Sequence, residues 1–171
     1  MIKLIGAFFI IAATTWAGFE ASRRFSERPK QLRQLKSALQ SLEAEIMYGH
    51  TPLHEASRRI SSQISKPLSL FFESFALKLT NSDTTVKIAW EQSLKEVWAS
   101  TALQQGEFEV MKQFGETLGR HDKVSQQKQI RLALSHLERE EGDAYDKQGK
   151  YEKMFKSLGF LSGLLLSILL M

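Results

Sequence analysis

A chain of 171 residues without a single cysteine can have no disulfide framework, no thiol nucleophile and no cysteine-bound zinc. Its length and its 43% hydrophobic residues are enough for one compact domain with a real core. A net charge of +4 points only weakly to anionic lipid or nucleic acid, so the positions of the charges matter more than their sum.

Both ends of the sequence are apolar. Residues 1–20 carry no charge between Leu4 and Phe19, a run that comes close to the thickness of a bilayer core at about 1.5 Å per residue. Residues 156–171 are apolar from Leu158 onwards, although this stretch is short. We predict an N-terminal and a C-terminal transmembrane helix, with a helical domain over 21–155 between them. A cleaved signal peptide is the alternative for the first segment.

Basic residues flank both predicted spans on the side of the central domain. Six of them follow the first span and are here called the basic collar: Arg23, Arg24, Arg28, Lys30, Arg33 and Lys36. Four lysines precede the second span, at 147, 150, 153 and 156. The positive-inside rule therefore predicts a cytoplasmic domain with both termini outside. A signal peptide would carry its positive charges before the apolar run, where only Lys3 is found.

Small residues recur at every fourth position in both spans, among them Ala13, Ala17, Gly159 and Gly163. Such spacing lets two membrane helices approach closely, although glycine is also common in these helices for other reasons. The hypothesis is that the spans pack on each other or on a membrane partner.

Between the spans, apolar residues recur at intervals of three and four, which indicates helices and no strands. The pattern predicts an all-α fold, a compact six-helix bundle. Its six apolar stripes begin at Leu32, Leu53, Leu68, Val86, Phe108 and Val124. We expect the first helix to begin after Pro29 and a turn near Gln105-Gly106. No proline interrupts the sequence after Pro67, so the last helix could be continuous with the second span.

The stretch EAEIMYGHTPLHEAS, residues 43–57, contains a predicted helix-helix turn. We expect Gly49 to be a left-handed cap, Thr51 the N-cap and Pro52 the first residue of the next helix. His50 and His54 are four apart, but the turn keeps them off a common helix face. A cation, Arg58, stands where HExxH zinc sites need their second histidine. No metal site is predicted.

No catalytic residue, cofactor site or small-molecule substrate is predicted either. The sequence has no Gly-x-Ser-x-Gly elbow and no phosphate-binding Gly-x4-Gly-Lys-Ser/Thr loop. The run HLEREEGDAYDKQGKYEK, residues 136–153, mixes both signs of charge at helical spacing, which is typical of a solvated face. The protein is therefore expected not to be an enzyme.

Four stretches of the chain carry a resemblance to a known family: ERPKQLRQLKSALQSLEAEIMYGHTPLHEA, AWEQSL, LGRHDKVSQQ and GFLSGLLLSILLM. Together they resemble the stage III sporulation protein AB family of endospore-forming bacteria, over essentially the whole chain. The family is similar in turn to the cytoplasmic domain of the F protein of type II secretion and type IV pilus machines, which carries a similar turn with glycine, proline and leucine, here Gly49, Pro52 and Leu53.

The resemblance implies a role in assembly. It implies a membrane platform in the outer forespore membrane, facing the mother-cell cytoplasm, in the complex that links mother cell and forespore. The implied partners are the secretion-type ATPase of that complex (the AA protein) and other membrane components. Within the basic collar, Arg28, Lys30 and Arg33 are candidate contacts for an acidic partner surface, although setting the topology alone would also explain them.

Two other functional classes remain open at this point. One is an exported, tail-anchored interaction module, which requires the signal-peptide interpretation. The other is a membrane-proximal binder of lipid or nucleic acid that uses the basic collar. Of these two ligands, anionic headgroups are the nearer, so no nucleic-acid partner is predicted.

Overall fold

The computed structural model of the chain describes residues 26–49, 51–80, 84–119 and 122–170, and beyond 151 it describes side chains only at 154 and 158. Within these ranges the protein is an all-α domain of six helices, as predicted. They are α1, helical throughout 26–48, α2 (Leu53–Gln63), α3 (Leu68–Thr80), α4 (Val86–Trp98), α5 (Gln105–Thr117) and α6 (Lys123–Leu170).

The core forms where the apolar stripes of the helices meet. On α1, Leu32, Leu35, Leu39 and Leu42 are fully buried, because their spacing of three and four places them on one face. Trp90 on α4 lies at the centre of the domain, with edge-on contacts to Phe71, Phe72, Phe75 and Phe114. Its indole Nε1 donates to the Met111 carbonyl oxygen at 2.7 Å, so burial leaves this donor satisfied.

Several predicted helix boundaries are wrong by a few residues. The chain is already helical at 26, so α1 does not begin after Pro29. The expected turn near Gly106 is part of α5, whose N-cap is Gln104. The start of α4 has a side-chain cap, because the Thr85 hydroxyl accepts a hydrogen bond from the Ile88 amide at 3.3 Å.

The turn between α1 and α2 is also present, but its geometry differs from the prediction. Thr51 is not the N-cap: Pro52 takes that position with extended backbone, and α2 starts at Leu53. Gly49 is not left-handed; among the described glycines only Gly119 has a positive φ, at 78°. Gly49 is needed for space instead, since a Cβ there would lie 2.5 Å from the Glu45 carbonyl oxygen.

α6 is one uninterrupted helix of 48 residues. Among the helices that the structure describes, none is both long and apolar enough to cross a membrane. The predicted first span, with Ala13 and Ala17, lies outside the described residues. Gly159 and Gly163 lie on the last part of α6, where the structure describes the helical backbone but not the side chains. The two spans therefore stay predictions.

Candidate functional site

The basic collar residues that the structure describes all lie on α1, and most of them face carboxylates of the same chain. Arg23 and Arg24 lie outside the described residues. Arg28, Arg33 and Lys36 contact acidic residues of α5 and α6. Together with Glu107, Glu138, Glu140 and Glu141, these three form what we call the ion-pair seam.

Arg28 is the most deeply buried member of the seam. Its Nε donates to Glu107 Oε1 at 2.8 Å, and its Nη2 donates to the same oxygen and to Glu140 Oε2, the latter at 2.9 Å. The side chains of Arg28 and Glu107 are 6% and 0% exposed. One guanidinium thus connects α1 with α5 and α6. Its Nη1 is buried and has no hydrogen-bond partner in the structure.

Glu107 has this position because of the way in which α5 begins. It is the third residue of the helix, and its Oε2 accepts a hydrogen bond from the Gln104 backbone N–H at 2.9 Å. An acidic residue in the first turn also complements the positive end of the helix dipole. One carboxylate therefore caps α5 with one oxygen and binds Arg28 with the other.

The next part of the seam lies where α1 runs beside α6. Lys36 Nζ contacts Glu141 at 2.8 Å and Glu138 at 3.7 Å. Arg33 Nε lies 3.5 Å from the second oxygen of Glu141, and its guanidinium lies 5.7 Å from the centre of the Tyr145 ring. Farther along, Glu43 accepts from Arg131 and from Gln127. The two helices are therefore antiparallel neighbours joined by opposite charges.

The prediction that residues 136–153 form a solvated face is wrong for part of the run. The Glu141 side chain is only 13% exposed and the Glu140 side chain 24%, because both point at cations of α1. Sequence reasoning missed them because charges of both signs at helical spacing look the same on a free helix. Two adjacent glutamates, Glu140 and Glu141, could have been matched with the basic residues of α1. Nothing in the local sequence, however, indicates that α1 and α6 are neighbours.

Arg28 and Lys30, two of the predicted partner contacts, differ in whether another molecule could reach them. Arg28 is an internal residue whose acidic contacts come from its own chain, so it does not face a partner surface in this structure. Lys30 is exposed, and its only ion pair in the described part of the chain is with Glu27, one turn before it, at 3.2 Å. Lys30 thus remains the better candidate for a contact with another molecule.

The histidines do not converge on a site within the described residues. His54 lies in the first turn of α2, and its Nε2 is 3.9 Å from Glu55 Oε1. His50 and His121 lie outside the described residues. His136 lines a groove of about 110 Å³ between α5 and α6 together with Gln129 and Leu132. Across the described ranges, no three histidine, cysteine or acidic residues lie close enough together to hold a metal ion.

The comparisons with known proteins agree with one another. The family model described as stage III sporulation protein AB matches residues 3–171. The chain belongs to the stage III sporulation protein AB family. It is 60% identical to stage III sporulation protein AB of Bacillus subtilis (strain 168) over 171 residues, covering all of both chains.

A solved structure of a stage III sporulation protein AB is also similar to this chain. The two are 58% identical and superpose with a TM-score of 0.70, over 72% of this chain and 98% of the other. An identity of 58% shows common family membership as well as a common fold. The resemblance inferred from the sequence is thereby confirmed.

Proposed function

We propose that this stage III sporulation protein is a non-enzymatic membrane platform in the channel complex between mother cell and forespore, required for spore development. It would couple the secretion-type ATPase of that complex to membrane components. The observation that carries the proposal is the family membership over the whole chain. The proposed location is the outer forespore membrane, with the helical domain in the mother-cell cytoplasm and both termini outside.

The ion-pair seam supports this proposal. α1 and α6 are the helices that lead to the two predicted spans, and the seam holds them side by side with Arg33 and Lys36 on Glu141. Arg28 extends the same connection to the start of α5. A contact on the bundle would therefore be transmitted to both membrane anchors through packed helices and buried charges, as a platform requires.

The pairing of the collar argues against a binder of nucleic acid. Such a binder needs cations free to replace the counterions of phosphates. Arg28 and Lys36 are instead largely buried against carboxylates of the same chain. The likeness to the F protein of secretion machines, which the turn with Gly49, Pro52 and Leu53 suggested, belongs to this proposal and favours an assembly role.

Labelling with a membrane-impermeant maleimide tests the proposal, because the chain has no cysteine of its own. A single Gln63→Cys places a thiol on an exposed residue at the end of α2. In cells that express the protein during vegetative growth, where the far side of the cell membrane is open to the reagent, we expect labelling only after lysis; in sporulating cells we expect the tagged, membrane-extracted protein to retain the ATPase. Labelling of intact cells would place the domain outside, remove a cytoplasmic ATPase as a direct partner and overturn the proposal.

A further inference from the structure

Two exposed apolar side chains of α3 lie on one stripe of that helix. Leu70 and Leu77 are about two turns apart and are 39% and 54% exposed. Together with Val97 of α4 they line an open groove of about 370 Å³ between the two helices. Glu73 lies between the two leucines and lines the same groove. The groove thus presents two apolar side chains with a carboxylate between them.

No cation of the groove itself matches that carboxylate. The ammonium group of Lys78 donates to both carboxylate oxygens of Glu96, at 2.9 and 2.7 Å, and to Ser74 Oγ at 2.8 Å. These contacts use all three of its N–H groups. Glu73 is exposed and forms no ion pair with the described residues of the chain. The groove therefore fits a helix that carries a cation between two apolar side chains.

α6 carries such a set of side chains near its start. Val124 and Leu132 are 73% and 50% exposed, and Lys128 lies midway between them, about one turn from each. Steps of four residues make these three side chains a ridge of the kind that packs into the groove of another helix. Arg131 beside them is bound to Glu43, whereas Lys128 forms no ion pair with the described residues.

We propose that the α3–α4 groove of one copy of this chain receives the α6 ridge of a second copy. Set antiparallel, the groove and the ridge match at three positions: Leu77 with Val124, Glu73 with Lys128 and Leu70 with Leu132. The contact removes exposed apolar side chains from water and places opposite charges together between them.

A single chain cannot make this contact with itself. α3 packs between α2 and α4, whereas α6 packs against α5 and α1, and among the described helices α3 and α6 do not touch. Each copy therefore offers the groove on one side and the ridge on another. Such a heterologous contact joins more than two copies head to tail, and it closes into a ring when the rotation between copies closes.

The groove and the ridge also lie at about the same height in the domain. Trp90 at the centre packs edge-on against Phe75 of α3 and Phe114 of α5, with ring centroids 4.9 and 5.3 Å apart. Phe114 in turn lines one groove with Gln129 of α6. The carboxylate of the groove and the lysine of the ridge belong to residues within two positions of Phe75 and Gln129. Neighbouring copies are thus related by a rotation about the long axis of the bundle, with little displacement along it.

Cysteine crosslinking in intact sporulating cells tests the contact, because the native chain has no cysteine. Leu77→Cys and Val124→Cys are placed on the same full-length, tagged chain, and the cells are treated with a short bis-maleimide that crosses membranes. The two singly substituted chains are the first controls. The second control combines Leu77→Cys with Ser135→Cys, which keeps the face of α6 but moves the thiol by eleven residues, about 16 Å.

We expect a ladder of linked dimers, trimers and larger products from the Leu77→Cys, Val124→Cys chain, since every copy carries both halves of the contact. The single variants and the shifted pair should remain monomers. A linked dimer from either single variant would indicate like surfaces face to face, and linkage to a different protein would indicate another occupant. Either of these results, an equal ladder from the shifted pair, or monomers throughout would overturn the proposal.

Charge reversal in the crosslinking chain supplies a second measurement. Glu73→Lys sets two cations against each other and should lower the yield of the ladder by at least about tenfold. Adding Lys128→Glu restores opposite charges at every contact and should recover the yield, whereas no recovery would contradict the pairing. Both residues are exposed, so the urea midpoints of these variants should not change. The ladder needs neither the ATPase nor a particular orientation in the membrane, so its absence would leave the proposed function standing.

Discussion

Arg28 and Glu107, 79 residues apart in the sequence, form a buried ion pair in which two guanidinium nitrogens share one carboxylate oxygen. The second oxygen of Glu107 caps α5. A residue that the sequence offered as a candidate contact for a partner thus connects three helices inside the domain.

Arg28→Met should lower the free energy of unfolding by about 3–5 kcal/mol, because the Glu107 carboxylate stays buried without its cation. The double variant Arg28→Met, Glu107→Met should be more stable than the single one, although it still lacks the α5 cap, worth about 1 kcal/mol. Urea unfolding of the detergent-purified chain measures both. A loss below about 1 kcal/mol for the single variant would contradict the burial seen here.

Exchanging the charges of Lys36 and Glu141 tests the seam as a connection between α1 and α6. Lys36→Glu alone brings a third carboxylate to Glu138 and Glu141, and we expect a loss of about 2–4 kcal/mol, between the values for surface and buried pairs. Adding Glu141→Lys should recover only part of that loss, since Arg33 then faces a lysine.

The number of heat-resistant spores should fall in the Lys36→Glu strain and recover in part in the Lys36→Glu, Glu141→Lys strain, in line with the free energies of unfolding. The control is the Lys95–Glu91 pair on α4, whose lysine is exposed: Lys95→Glu should cost less than about 0.5 kcal/mol and leave spore formation unchanged. If the Lys36→Glu chain were as stable as the control, the contacts of Lys36 would contribute nothing and the seam would not join the helices.

Gly115→Ala should destabilise the domain strongly. A Cβ at this position would lie 2.0 Å from Trp90 Cδ1, and Trp90 cannot move away because four phenylalanine rings and the Met111 carbonyl hold it. We expect a loss of about 3 kcal/mol, at the upper end for overpacked cores. Gly142→Ala is the matched control on α6: nothing lies near its Cβ, so it should gain up to about 1 kcal/mol.

Glu96 should titrate below the usual range of a glutamate. Hydrogen bonds from Lys78 and Ser74 to its carboxylate lower its pKa from the ordinary 4.5. The folded pKa is depressed, so this contact stabilises the fold above the unfolded pKa and is lost as the pH falls through the folded one. Lys78→Met should raise the Glu96 pKa in an NMR titration, while Lys95→Met, which acts on Glu91, should leave it unchanged.

Lys30→Glu tests the remaining collar contact without damaging the core. Lys30 is exposed, so stability should change by less than about 0.5 kcal/mol. If Lys30 binds an acidic partner surface, heat-resistant spores should fall by about tenfold, the equivalent of 1.4 kcal/mol of lost contact. Lys66→Glu, an equal charge change at an exposed residue far along the chain, should have no effect. Equal spore counts for both variants would contradict a partner contact at Lys30.

The spacing of apolar residues along the sequence predicted most of the fold but little of the ion-pair seam. The stripe from Leu32 to Leu42 and the aromatic residues of α3 and α4 indicated both helices and core, because burial on one helix face imposes spacings of three and four. The helix boundaries differed from the prediction: Gln104 caps α5 and Pro52 caps α2, since the position of a cap depends on how the incoming chain is held.

The sequence by itself determined that this protein is a bundle of helices, where their apolar faces lie, and the family to which it belongs. Only the tertiary structure decided which charges are internal. Arg28 and Lys30 are two residues apart and look equivalent in the sequence, yet one is buried against Glu107 and the other is solvated. The physical reason is that helical spacing fixes the face on which a side chain lies, while the pairing of α1 with α5 and α6, from distant parts of the chain, decides what that face meets.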